Sequence, residues 1–412
     1  MENATNADII HHVQDIQMTR AQNNELKHID FFSGAGGLSC GLEQAGFKPV
    51  FASDIEPVYA ETYCSMNTET EFSKGDIRDL RGASILKKLG VKRGDIDLVA
   101  GGPPCQGFSI NAPIRSLNDQ RNHLFKDFLR LADEIFPKLI LIENVPGFIS
   151  LGNGTVIKKV YEVLGEMGYR AEHKILFAAH YGVPQLRFRT IIIASRISSK
   201  IVFPEPTHNA NGIANFKGGK ELCYKIHPLS EKKLQSKPKV WDAISDLPDL
   251  IPGKSDGIFN YNGKIVSEYA KQLRKGSEKI YNHSANRLAP INLARLEHIP
   301  QGGSWRDIPH ELLPAGLKRA RRSDHTKRYG RLDPNGLCST ILTKCDPHWG
   351  SFFHPYKNRV LSVREAARIQ SFPDKYIFKG NLTEQYEQVG NAVPPFMAKS
   401  IGKCLAKMIT SA

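Results

Sequence analysis

From His28 to Ser195 short apolar runs alternate with stretches of helical periodicity, and no other feature restricts the fold as much. The strand-like runs are HIDFF (28–32), PVFASD (49–54), DIDLVAGG (95–102), KLILIENV (138–145), HKILFAA (173–179) and TIIIAS (190–195). Between them lie GGLSCGLEQAG (36–46), PVYAETYCSMN (57–67), NHLFKDFLRLADEIF (122–136) and GTVIKKVYEVLGEMG (154–168). In the third of these, Leu124, Phe125, Phe128, Leu131 and Ile135 recur at helical spacing and give the helix one apolar face. Strands that alternate with helices build βαβ units, which cover both faces of a parallel sheet. The expected fold is α/β, a doubly wound, mostly parallel sheet over residues 28–199, preceded by a polar extension at 1–27 with room for one helix.

Beyond residue 199 the pattern changes. Residues 200–345 are rich in Pro, Gly, Asn and Lys and poor in long periodic runs, which predicts a second, smaller, irregular domain with functional loops. Helical stretches return at SVREAARIQSF (362–372) and PPFMAKSIGKCLAKMI (394–409), so residues 346–412 are expected to pack back on the first domain. The formal net charge is +14, which favours a polyanionic partner such as nucleic acid. GLKRARRSDHTKRYGR (316–331) holds seven Lys or Arg against one Asp; it is a phosphate-contacting loop or a solvated charged one. Trp305, in PQGGSWRDIP, is read as a packing residue. The seven cysteines include no CxxC pair, and Cys345, His348 and His354 lack a fourth ligand, so neither a disulfide framework nor a metal is expected. There is no signal-peptide pattern and no apolar run of about 18 residues, so no membrane association is expected and the protein is placed in the cytoplasm.

Two turns carry the candidate chemistry. After the first strand, Gly34, Gly36 and Gly37 allow close approach of backbone to a ligand, and Asp54 follows Gly34 by twenty residues, where an acidic side chain can hold ribose hydroxyls. The pattern departs from GxGxxG at Ser39, and a nicotinamide oxidoreductase would account for this turn nearly as well. Asp76 is either an acceptor for an adenine amino group or a helix N-cap. In GGPPCQGFS (101–109), Pro103 and Pro104 keep the chain out of a helix just ahead of Cys105, which aims the thiol; an inert core thiol is the alternative. Glu143 ends the apolar strand KLILI, where desolvation would raise its pKa and suit it to donate a proton, unless it serves only to pair a structural Arg. In QLRFRTIIIAS, Gln185, Arg187 and Arg189 alternate and are expected on one strand face, one arginine for a substrate and another for Glu143.

A thiol, a proton-donating carboxylate and a nucleotide-type turn side by side match methylation of cytosine at C5, where a thiolate adds at C6 while N3 is protonated. At this point the chain resembles the DNA (cytosine-5)-methyltransferases, in particular bacterial modification methylases. The ordered motifs are FFSGAGGLSCGLEQAGF, ASDIE, GDI, GGPPCQGFS, RNHLF, IENVPG, QLRFR, RIQSFP and QVGNAVPP, covering nearly all of 28–408 outside the variable middle. The resemblance implies that Phe32, Gly34, Gly36, Gly37, Asp54, Ile55, Asp76, Ile77, Pro104, Leu124, Asn391 and Val393 surround S-adenosylmethionine. It implies Cys105 as nucleophile, Glu143 and Arg189 on a flipped-out cytosine, and Arg187 in support. Gln106 and Ser109 would lie on a loop closing over duplex DNA, with Arg319, Arg321 and Arg322 on phosphates and residues 200–345 as target-recognition domain. Many members carry Glu at the position of Asp54 and an aromatic residue at that of Ile55. A monomer is expected, since one flipped base needs one active site, and a companion restriction endonuclease is left open. The alternatives are a tRNA cytosine-5 methyltransferase, whose CFT signature is missing here, and a DNA-binding homologue without catalysis, which would have lost Cys105 or Glu143.

Overall fold

The computed structural model describes residues 25–104, 123–212, 233–254, 257–261, 264–265 and 267–412. The readings placed on residues 1–24 and on Cys105, Gln106 and Ser109 lie outside the described residues.

The apolar runs form strands β1 (Leu26–Phe31), β2 (Phe47–Asp54), β3 (Glu71–Lys74), β4 (Leu98–Gly101), β5 (Leu139–Asn144), β6 (Arg170–Phe177), β7 (Gln185–Leu186) and β8 (Phe188–Ser195). Seven of them make one sheet in the order β3-β2-β1-β4-β5-β8-β6. β8 runs antiparallel to both β5 and β6, and the other pairs are parallel. Side chains along the central strands are buried on both faces. Ile29, Phe31, Val99, Ile140, Ile142 and Ile192 enter one core. Leu98, Ala100, Leu139, Leu141, Ile191 and Ile193 enter another. This alternation is what a period of two residues delivers when helices cover both sides.

The helices follow the expected stretches at Gly37–Glu43, Pro57–Met66, His123–Ile135 and Thr155–Glu166, and the C-terminal ones at Val363–Ile369 and Pro395–Thr410. Another forms at Gly82–Leu89, ended by Gly90 in a left-handed conformation. The C-terminal helix lies against Gly37–Glu43 at a distance only glycine permits: a Cβ on Gly41 would fall 2.4 Å from the Ala398 Cβ. Leu250, Ala285, Leu296, Ile299, Trp305, Leu317 and Tyr329 form one cluster with Phe353 and Val360, while Val240, Ile244, Leu332, Cys338 and Ile341 share another with Ala35, Cys40 and the C-terminal Val363, Phe372 and Val389. Trp305 is buried in the first, as its setting in the sequence suggested.

Strand register fixes where the chemistry falls. Phe31 pairs with Ser53 on one side and Gly101 on the other, and Gly101 pairs with Ile142. The residues that follow these strand ends therefore share one rim, at the point between β1 and β4 where the chain reverses its direction of strand addition. Because β8 is antiparallel, its first residues reach the same rim: Thr190 pairs with Asn144.

Candidate active site

The turn after β1 is held in a conformation few side chains tolerate. Phe32, Gly34 and Gly36 have φ of 57°, 54° and 90°. At Gly36 a Cβ would lie 2.5 Å from the Tyr376 hydroxyl oxygen, so that glycine serves packing. At Gly34 no atom lies within 4 Å of where a Cβ would be, and its bare backbone faces an open crevice. Asp54, at the end of β2, closes the turn: its Oδ2 accepts from the Gly34 N–H at 2.8 Å and its Oδ1 from the Glu56 N–H at 3.0 Å. Burial raises the Asp54 carboxyl above its usual range, and those two donors oppose the shift.

Ser39, where the glycine pattern fails, has a use of its own. Its hydroxyl donates to Asp30 Oδ2 at 2.7 Å and lies 2.8 Å from the Tyr63 hydroxyl and 3.1 Å from His28 Nε2. Burial pushes the Asp30 carboxyl up to about 7 and the His28 imidazole down to about 3. A glycine at 39 would leave these buried groups without their bridge.

The crevice has a volume of about 430 Å³ and is lined by the Gly34–Gly37 turn, Asp54, Ile55, Tyr59, Pro103, Pro104, Glu143, Arg189 and the segment through Asn391 and Val393. A side hollow of about 210 Å³ adjoins it, formed by Phe32, Asp54, Ile55, Asp76, Ile77 and Leu124. Ile55 is 60% exposed, an apolar side chain left open beside three others. Asp76 accepts from the Arg78 backbone N–H at 2.9 Å and from its Nε at 3.0 Å, and these bonds hold its carboxyl below the usual range. It is an N-cap and also a wall of the hollow.

Glu143 Oε1 lies 2.5 Å from Arg189 Nε, with the two side chains 12% and 14% exposed. The pair sits at the surface of the crevice, where a ligand can touch it. Gly102 leaves space for it, since a Cβ there would be 3.1 Å from Glu143 Oε2. Asn144 Nδ2 donates to the Pro103 carbonyl at 3.1 Å and so ties the Pro-Pro turn to β5. Pro104, the residue bonded to Cys105, lines the crevice.

The three residues expected on one strand face have different partners. The strand breaks at Arg187, between β7 and β8. Gln185 bonds Gln370 and the Ile341 N–H. Arg187 is buried and donates to the carbonyls of Ile341 (3.2 Å), Gly390 (3.0 Å) and Ala392 (2.9 Å). Arg189 alone of the two arginines lines the crevice. Arg187 thus holds the Gly390–Ala392 stretch in position as one wall. Replacing it with Leu strands the Ile341 and Gly390 carbonyls and leaves that of Ala392 only Gln370 Nε2, at 3.2 Å, and we expect a loss of about 3 kcal/mol, checked as a fall in chemical-denaturation midpoint.

Sequence reasoning missed Asp30, Tyr59 and Asn144. A carboxylate inside HIDFF and an amide beside Glu143 were the signals available for two of them; Tyr59, 3.3 Å from Asn391 Nδ2, had none. Arg319, Arg321 and Arg322 are exposed, away from the crevice, and Arg322 Nη2 donates to the Arg306 carbonyl at 3.0 Å. His354 accepts from the N–H groups of Tyr356 and Lys357, while Cys345 is buried in the core. No cluster among the described residues could hold a metal ion, and no helix among them is long and apolar enough to cross a membrane.

The sheet order with its single antiparallel strand, and the crevice at the strand ends, define an S-adenosylmethionine-dependent methyltransferase fold. A crystal structure of a DNA modification methyltransferase encoded within a prophage (E. coli) superposes with a TM-score of 0.70 at 26% identity, covering 93% of this chain and 99% of that one. A family model described as C-5 cytosine-specific DNA methylase matches residues 26–407. Type II methyltransferase M1.HphI of Haemophilus parahaemolyticus is 33% identical over 390 residues, 94% of this chain and 88% of that protein. Type II methyltransferase M.AgeI of Thalassovita gelatinovora is 32% identical over 436 residues, 93% of this chain and all of that one. The chain belongs to the C-5 cytosine-specific DNA methylase family, and its enzyme class is DNA (cytosine-5-)-methyltransferase.

Proposed function

We propose that the protein methylates C5 of a flipped-out cytosine in a specific duplex DNA sequence through a covalent adduct between Cys105 and C6. The observation that carries this is the convergence on one rim of the open turn at Gly34, the Pro-Pro turn leading into Cys105, and the Glu143–Arg189 pair. The residues fit S-adenosylmethionine: the apolar hollow with Asp76 suits an adenine, Asp54 a ribose, and the bare Gly34 backbone a closely approaching tail. When bound, that group supplies an electrophilic methyl on a sulfonium.

In this scheme the Cys105 thiolate forms a bond to C6 while Glu143 delivers a proton to N3, which places an enamine carbon at C5. Arg189 holds Glu143 and donates toward O2, where charge builds. Once C5 carries the methyl, with the sulfonium left as a neutral thioether, solvent takes the C5 proton, the C6–sulfur bond breaks to return the Cys105 thiolate, and N3 gives its proton back to Glu143, which restores the aromatic ring. Asn144 and Arg187 hold the Pro-Pro turn and the Gly390–Ala392 wall in register around this chemistry. Residues 28–199 with 346–412 form the catalytic part, and 200–345 with Arg319, Arg321 and Arg322 form the target-recognition part. Monomeric action, a cytoplasmic location and service beside a restriction endonuclease complete the proposal.

The test is transfer of labelled methyl groups from S-adenosylmethionine into unmethylated duplex DNA and, separately, into tRNA, with the DNA product mapped by bisulfite sequencing. Label at 5-methylcytosine in one DNA sequence context is the expected result. Label only in tRNA would overturn the substrate and the role given to residues 200–345.

A further inference from the structure

Trp349 is 57% exposed, while Trp305 is buried. A single exposed aromatic is ordinary on a protein surface, but this one is built into position. The Trp349 N–H donates to the Asp346 carbonyl at 3.0 Å, and Asp346 Oδ1 accepts from the His348 N–H at 2.9 Å. Both ends of the turn are fastened to the earlier segment at 329–330, by Tyr329 N–H to the Pro347 carbonyl at 2.6 Å and Gly330 N–H to the Gly350 carbonyl at 3.4 Å. Behind it runs a column of rings and cations. Arg295 lies 5.5 Å from the Tyr329 ring centroid, Tyr329 lies 5.9 Å from the His348 ring, and His348 lies 5.2 Å from the indole. The Arg328 guanidinium carbon also sits 5.2 Å from the Trp349 centroid.

The place of this turn in the fold says what covers it. Leu342 and Thr343 abut Gly390, whose Cβ would fall 2.3 Å from the Leu342 carbonyl oxygen, and Gly390 lines the catalytic crevice. Trp349 follows Thr343 by six residues, a reach of at most about 20 Å, or roughly six base-pair steps of 3.4 Å. Between them the segment walls a cleft of about 350 Å³ that also presents Arg287, Asn292 and Lys344. The adjoining stretch 316–331, with seven cations to one Asp, supplies the complementary charge for a polyanion. An aromatic face stacks on a base whose neighbour has been pulled from the helix, and a cation beside it meets the phosphates.

We propose that Trp349, backed by His348 and Arg328, contacts the bases of the duplex beside the target cytosine and sets part of the sequence preference. The proposal rests on the DNA reading above and extends the recognition element past residue 345. The experiment compares the native full-length protein with Trp349→Ala and Trp349→Phe. Duplex affinity is measured by fluorescence anisotropy, and site preference by bisulfite sequencing of a random-sequence duplex library methylated to low extent. Trp349→Ala is expected to weaken duplex binding about tenfold and to broaden the methylated sequence set, with affinity for S-adenosylmethionine and the circular dichroism spectrum unchanged. Trp349→Phe should recover affinity to within about threefold of native. If the native protein methylates duplex DNA and Trp349→Ala matches it in affinity and site preference, the proposal falls and the methyltransferase reading stands. If the native protein puts no label in DNA, both fall.

Discussion

Cys105→Ser is expected to lower methyl transfer into duplex DNA by at least about 10³-fold while leaving affinity for S-adenosylmethionine within about twofold of native. The size of the effect follows from what C5 of cytosine lacks. It is not nucleophilic until something adds at C6, and the proposed scheme assigns that addition to a thiolate, of which a few per cent is present at neutral pH and which is intrinsically very nucleophilic. A serine hydroxyl fills nearly the same space without that reactivity. The loss corresponds to about 4 kcal/mol or more of barrier. Unaltered cofactor affinity is expected because the turn at Gly34, the Asp54 clamp and the side hollow around Ile55 belong to other strand ends. A duplex with 5-fluorocytosine at the target position gives a second readout. Fluorine cannot leave C5 as a proton does, so the native enzyme should remain covalently attached, and Cys105→Ser should not. A serine variant with native turnover, or a fluorinated duplex that never captures the native protein, would remove the adduct from the mechanism.

The positions of these groups were legible in the sequence to different depths. Runs such as KLILI and TIIIA announce buried strands because a residue repeat of one or two is a local property of the chain. The glycine turn, the Pro-Pro turn and Glu143 are likewise local, and the rule that ligands bind at the carboxyl ends of parallel strands brings them to one rim without any coordinates. What is not local was not legible. The antiparallel insertion of β8 between β5 and β6 is a choice of neighbour, and nothing in the pattern of FRTIIIAS sets its direction. Arg187 looked equivalent to Arg189 because its partners, the carbonyls of Ile341, Gly390 and Ala392, lie 154 to 205 residues further along. Ser39 looked like a failed glycine until Asp30, Tyr63 and His28 were seen around it. The display of Trp349 depends on a turn fastened to Tyr329 and Gly330, a pairing that the composition of the middle region conceals.

Glu143→Gln should lower the turnover number by about 10² to 10⁴, the range that a positioned proton donor contributes, with duplex and cofactor affinities close to native. Glutamine is chosen because its carbonyl oxygen can still accept from Arg189 Nε, now 2.5 Å from Glu143 Oε1, so the arginine keeps its place while the acid is lost. Glu143→Ala removes the acid and also frees Arg189 from the partner that aims it, so its defect should exceed that of Glu143→Gln and include weaker binding of the flipped base. The comparison separates two roles that one side chain combines. If both variants fall equally in turnover and neither changes affinity, proton delivery is the whole contribution. If Glu143→Gln keeps turnover within about threefold of native, N3 receives its proton from another donor, and Glu143 is left with the task of aiming Arg189.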